Sequence, residues 1–254
     1  MAYSTLFLSH GSPMMVLEYT PARRFILGLR AALGKPRAVL AVSAHWATRN
    51  PAVGFAALPD KIDDMTGFPD ELYRMTYAPP GAPDLAAAAA DLLGEGTRRD
   101  PGRGIDHGIW SVMSLIWPEA DVPVVPISVQ PEAGAAHHYQ LGRRLRPLAE
   151  DGVLVLGTGA ATHNLRAYFS RPPGAPDDPG TLAFTGWLAE QTERGEVAAL
   201  LDYRAQAPQA VAAHPTDEHL LPFFAALGAA SGPGRRLHHS LDAGVLAMDC
   251  YGWA

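Results

Sequence analysis

The chain has 254 residues, a net charge of −6 with histidine neutral, a single cysteine and ten histidines. That length suits one domain with a sizeable core, residues 1–254, and the negative charge speaks against nucleic acid and anionic membranes as partners. With Cys250 alone, a disulfide framework and a cysteine-based zinc site are excluded within the chain. No apolar stretch reaches the roughly eighteen residues of a membrane helix. No basic region precedes the first short apolar run, so it does not read as a signal peptide. A soluble cytoplasmic protein is the expectation.

Strand-length apolar runs bounded by Gly, Pro or polar residues are predicted at Thr5–Ser9, Ala38–Ser43, Val122–Val129, Val153–Gly157 and Gly244–Asp249. Helical patterns lie between them. Ala22–Leu33 follows Thr20-Pro21, a good N-cap and first-turn pair. Asp84–Leu93, His138–Glu150, Thr181–Gln191, Glu196–Gln206 and Glu218–Leu227 follow. "YAPPGAP" (Tyr77–Pro83) and "SRPPGAPDDPG" (Ser170–Gly180) read as surface loops. Strands alternating with helices predict an α/β fold: a central, mostly parallel sheet flanked by helices, with the active site at the carboxyl ends of the strands.

Three histidines fall at such ends. His10 follows the first run in "LFLSHGSPM", His45 follows the second in "VLAVSAHW", and His163 lies beyond the fourth in "VLVLGTGAATHNL". His107, in "GIDHGIW", sits at a loop-to-helix junction, where Asp106 would serve as the helix cap. In "HPTDEHLLPF", Thr216 or Asp217 can cap a helix and Glu218 suits its positive end, which leaves His219 unexplained by capping. His214 reads as part of the entry loop. His137, His138, His238 and His239 read as solvated. Phe68, Tyr73 and Tyr77 read as packing groups, with pocket lining as the alternative; no substrate-binding residue is identified. Several neutral imidazoles without cysteine suit a divalent first-row metal such as zinc or iron. There is no HExxH, HxH, GxSxG or P-loop, and "GTGAAT" is too short for a dinucleotide fingerprint.

Six stretches together carry a family resemblance: "FLSHGSPM", "AVSAHW", "GFPDELYRMTYAPPGAP", "DHGIWSVM", "THNLR" and "PTDEHLLPFFAALGAA". In this order, from Leu6 to Ala230, the chain resembles the class III extradiol ring-opening dioxygenases, in particular their compact DOPA 4,5-dioxygenase-like subgroup. The resemblance implies an oxidoreductase with His10, His45 and His219 as metal ligands, with Glu218 as the neighbouring candidate for the third. It implies acid–base work for His163, sometimes a further ligand, and positioning of oxygen or substrate by His107. It implies non-haem Fe(II) in the active form, with Zn(II) plausible in purified protein. The partners implied are a catechol-type substrate and O2, the product a muconic semialdehyde. Where the family often has serine, this chain has Thr158 or Gly159, a departure expected to matter little. A zinc-dependent hydrolase on the same ligands is the alternative, and a metal-free binding protein is a third reading, disfavoured by five pocket histidines. Neither the physiological catechol nor the oligomeric state is encoded legibly.

Overall fold

The computed structural model describes residues 3–254. The elements in chain order are β1 (Thr5–Ser9), α1 (Pro21–Leu33), β2 (Val39–Ala47), β3 (Ala52–Gly54), α2 (Asp70–Arg74), α3 (Pro83–Leu93), β4 (Arg98–Asp100) and α4 (His107–Ile116). Then come β5 (Val124–Val129), α5 (Gly134–Glu150), β6 (Leu154–Gly159), α6 (Leu165–Ser170), α7 (Pro179–Arg194), α8 (Val197–Leu201), α9 (Tyr203–Gln206) and α10 (Ala210–Ala213). The chain closes with α11 (Leu221–Ala229), β7 (Arg235–His238), β8 (Leu241–Asp242), β9 (Leu246–Ala247) and β10 (Cys250–Trp253).

Eight strands form one sheet in the order β4-β3-β5-β2-β6-β1-β10-β7. Its centre, β5-β2-β6-β1, is parallel, while β10 adds antiparallel to β1 and β7 antiparallel to β10. The central strands are buried on both faces, because side chains alternate across a strand. Leu6, Leu8, Val39, Ala41, Leu154 and Leu156 enter the core beneath α1 and α4. Phe7, Leu40, Val42, Val53 and Val155 enter the core shared with α3, α5, α7 and α11.

Three predicted elements are corrected. The last strand is not Gly244–Asp249: that stretch holds the short β9, and the sheet strand is β10, further on. Glu196–Gln206 is two short helices, α8 and α9, parted at Asp202. The helix expected from Glu218 begins only at Leu221, with Pro222 in its first turn. Proline has no N–H to give and clashes with the carbonyl a turn earlier, so it fits a helix start and not an interior. Glu218 and His219 therefore lie in the turn that leads into α11.

Two close approaches set the site. A Cβ on Gly159, at the end of β6, would sit 2.0 Å from the His219 carbonyl oxygen. The bare glycine lets the His219 turn rest on the sheet, where Ala160 N–H donates to that carbonyl at 2.9 Å. The Gly159 carbonyl in turn accepts from His10 N–H at 3.0 Å. Residues distant in sequence are thus fastened side by side by backbone bonds.

Candidate active site

Five imidazoles meet at the carboxyl-end edge of β1, β2 and β6. His10 follows β1 directly. His45 lies inside β2, which runs further than its apolar stretch. The pairing of β2 with β5 loses register between Ser43 and Ala47, and such an irregularity re-aims a side chain beside a site. His107 opens α4, His163 follows β6, and His219 occupies the turn before α11. Ring centroids are 4.9 Å apart for His10–His45, 4.0 Å for His45–His107, 5.0 Å for His45–His219 and 5.6 Å for His10–His219. His163 stacks on His219 at 3.4 Å with the planes 11° from parallel. Ligating atoms of His10, His45 and His107 lie within 4.8 Å of one another, as do those of His163, Glu218 and His219. A Cβ on Gly108, the second residue of α4, would come to 3.1 Å from both His10 and His45, so glycine suits the helix where it passes them.

The hydrogen bonds behind the rings determine which nitrogen faces the pocket. Thr158 Oγ1 donates its only proton to the Gly108 carbonyl at 2.6 Å. It must therefore accept from His10 Nδ1–H at 3.0 Å, which leaves His10 Nε2 unprotonated. His219 Nδ1–H donates to Glu218 Oε1 at 3.0 Å, with the same result at its Nε2. His45 Nδ1 faces Asp64 Oδ2 at 3.4 Å, close enough for electrostatic attraction and without a hydrogen bond. His45 Nε2 and His10 Nε2 are hydrogen-bonded at 3.0 Å, and with His10 Nε2 bare the proton between them belongs to His45, the one a bound cation would displace. Imidazoles that turn Nδ1 to oxygen atoms and gather their Nε2 atoms in one pocket fit a divalent first-row cation.

Electrostatics point the same way. His10 is held well below the ordinary imidazole range, by burial first and then by the neighbouring imidazoles. Burial and His107 bring His45 down to about 2. Burial and the stacked His219 bring His163 to about 3, against the opposing pull of Glu218. The pocket imidazoles with shifted values are thus neutral, as ligands and proton acceptors must be. Glu218 is held at about 2, chiefly by its hydrogen bond from His219. Burial disfavours an ionised Asp64, but His107, through its backbone N–H bond and its adjacent ring, outweighs this and holds that carboxyl at about 2 as well.

All five anticipated histidines converge, although His219 shares its closest grouping with His163 and Glu218 and not with His10 and His45. The capping expectations and the solvated reading of His138 are corrected, while the loop reading of His214 and the packing reading of Tyr77 stand. Asp106 makes no side-chain cap on α4; its fully buried carboxylate accepts from Ser43 Oγ at 2.7 Å and pairs with Arg103. Thr216 and Asp217 give α11 no side-chain cap: Thr216 donates to Glu218 Oε1 and Asp217 pairs with Arg204. His214 lies in the loop before the His219 turn and is wholly buried, with Nε2 against the Ala161 carbonyl at 2.8 Å. His138 is not solvated either: it is 0 % exposed, donating from Nδ1 to the Gly134 carbonyl and accepting Gln130 N–H at Nε2. Tyr77 is a packing group whose hydroxyl donates to the Trp117 carbonyl.

Three oxygen acceptors were not foreseen in these positions: Thr158, Asp64 and the orienting carboxylate of Glu218. No short motif marks them. The general need of a ligating imidazole for an acceptor at its other nitrogen gives the kind of residue and not its place in the sequence.

Comparison with known proteins agrees with this arrangement. Residues 4–245 match the family described as the catalytic LigB subunit of aromatic ring-opening dioxygenase. A 4,5-DOPA dioxygenase extradiol of Beta vulgaris is 39 % identical over 97 % of this chain and 95 % of its own length. The protein of the same description from Escherichia coli (strain K12) is 37 % identical over 89 % of this chain and 85 % of its own length. The crystal structure of an uncharacterised protein from Escherichia coli K12 superposes with a TM-score of 0.83 at 31 % identity, covering 98 % of this chain and 99 % of that one. The chain belongs to the LigB family of class III extradiol aromatic ring-opening dioxygenases.

Proposed function

We propose that residues 1–254 act as one catalytic domain that opens a catechol-type ring beside its diol with O2, giving a muconic semialdehyde-type product. The family implies a non-haem metal, and His10, His45 and His219 are the ligands we assign to it. The observation that carries this is the shared wiring: each ring turns Nδ1 to an oxygen, from Thr158, Asp64 or Glu218, and keeps Nε2 for the pocket. When bound, the metal would lower the cost of ionising the catechol and relay electrons toward O2, which suits Fe(II) better than redox-inert zinc. The names of the relatives support a DOPA-like catechol as substrate.

The remaining steps belong to side chains. His163, neutral and backed by Glu218 at 3.8 Å, accepts a catechol proton and returns one during ring opening. His107, packed against His45, orients substrate or O2. A second reading follows from the tighter grouping of His10, His45 and His107, which would make His107 the third ligand. Against it, His107 Nδ1 lies 3.0 Å from Asp64 Oδ1 but off its hydrogen-bonding line, so its tautomer is not fixed as that of His219 is.

Oxygen uptake with DOPA and simple catechols, on protein stripped by chelator and reloaded, tests the activity. Fe(II) should restore ring opening better than Zn(II). Full activity in iron-free, zinc-loaded protein would overturn the iron assignment. The third ligand is tested by metal content: His219→Ala should lose metal and His107→Ala retain it, and the reverse result installs His107.

A further inference from the structure

We propose that Asp106 is a positioning residue that acts through Ser43 to fix the irregular stretch of β2 carrying His45, and so holds His45 in place against the start of α4. The inference rests on the reading above that His45 is a metal ligand. Ser43 is the last residue of β2 in continuous register, paired with Ser128 of β5 and with Thr158 of β6. β2 meets β5 again only at Ala47, opposite Val129. Ala44, His45 and Trp46 lie between, so the regular ladder does not set where His45 sits.

Side chains do this instead. His45 N–H donates to Ser43 Oγ at 3.2 Å, and Ser43 Oγ donates to Asp106 Oδ1 at 2.7 Å. Ser43 and Asp106 are both fully buried. Asp106 Oδ2 pairs with Arg103, whose guanidinium lies 4.8 Å from the centre of the Trp46 ring. The stretch is therefore gripped twice, at His45 through Ser43 and at Trp46 through Arg103. On its other side the Asp106 carbonyl accepts Ile109 N–H at 3.0 Å and Trp110 N–H at 2.9 Å in the first turn of α4. One residue thus joins the stretch that bears His45 to the helix that His107 opens, and the two rings lie 4.0 Å apart.

Helix capping does not account for this aspartate. It occupies the N-cap position of α4 and makes no side-chain cap, the usual work of an aspartate there. Its carboxylate is turned inward to the sheet, where a charge is costly unless paired and hydrogen-bonded. Two donors, Ser43 Oγ and Arg103, each need an acceptor, and a carboxylate has an oxygen for both. An asparagine has one acceptor oxygen, so Asp106→Asn gives up one of the two bonds. Ser43→Ala leaves Arg103 its partner and cuts only the link to His45.

The test uses full-length protein and two measurements: the melting temperature of the metal-free form, and Co(II) affinity with the visible absorption of the bound ion, at a temperature where the variants are folded. Ser43→Ala should bind Co(II) about 10- to 100-fold more weakly than the parent, the range for partners behind a ligand, and with an altered spectrum. Asp106→Asn should lose affinity in the same range. The double variant should lose no more than the weaker single one, because both residues act through one chain of bonds. A purely structural pair would lower the melting temperature and leave the Co(II) affinity and spectrum of the folded variants unchanged, and that result overturns the inference. Losses that multiply in the double variant also overturn it, since the two residues would then act apart. If Asp106→Asn does not fold, Ser43→Ala decides alone, because it cuts the link through which Asp106 reaches His45. A parent that binds no Co(II), or His45→Ala binding it as the parent does, overturns the ligand assignment instead, a result distinct from these.

Discussion

His219 Nδ1 and Thr216 Oγ1 both donate to one oxygen of Glu218, Oε1, at 3.0 and 3.1 Å, and His163 Nδ1 lies 3.8 Å from that same atom. Because a single oxygen receives both donors, an amide oxygen can replace it. Glu218→Gln should therefore keep most metal affinity, whereas Glu218→Ala should weaken it about 10- to 100-fold. Metal titration of the two variants checks this, and equal losses would show that charge, not acceptor placement, is what His219 needs.

Thr158 receives His10 Nδ1–H and passes its own proton to Gly108. Thr158→Val keeps the shape and removes both bonds. Metal retention should fall about 10- to 100-fold, while Thr158→Ser should restore it. Mass-spectrometric metal content after dialysis distinguishes the three proteins. A valine variant with full metal would mean that His10 needs no partner at Nδ1.

His163 separates chemistry from binding. His163→Ala should keep most of its metal and lose about 10²- to 10⁴-fold in turnover, the range of general acid–base contributions. His10→Ala should lose the metal itself. Metal content beside initial oxygen-uptake rates is the measurement. If both variants come out equally metal-free, His163 is a ligand.

Stability should also fall in mild acid for a reason outside the active site. Burial first lowers His138 from its ordinary 6.5 to about 4, and the Gly134 carbonyl only partly offsets this. A lowered folded pKa contributes stability that is complete above 6.5 and lost as pH falls from 6.5 toward 4. The contribution is about 3 kcal/mol. Chemical denaturation of metal-free His138→Gln, whose amide oxygen can accept Gln130 N–H, should show a shallower decline over that window. An unchanged slope would assign the acid sensitivity to other groups.

Much of this could be read from the chain. The runs at residues 5–9 and 153–157 are dense in branched apolar residues and became β1 and the body of β6, because a central parallel strand is buried on both faces. His10, His45 and His163 were legible because topology places strand ends on one side of the sheet, and His107 and His219 through the motifs that carry the family resemblance. What escaped was set by non-local bonds. His138 looked solvated because its neighbours are polar, yet Gln130 N–H needs an acceptor there. Thr158 looked like a neutral exchange for serine, since only the folded chain brings it to Gly108 and His10. Short β3 and β4 carry too few residues for any period to show.

The placement of β10 has a consequence for how the enzyme comes into being. Ser9, next to His10, donates through both N–H and Oγ to the Asp249 carbonyl, and Leu8 pairs with Cys250. On the other side, β1 leans on β6. During synthesis His10 emerges early but waits for residues near 250 before its strand is enclosed. The proposed metal centre would thus be completed late, since a partly made chain offers only scattered imidazoles. Metal uptake would then add stability by mass action to the finished fold alone, and loading the ion would mark the end of folding.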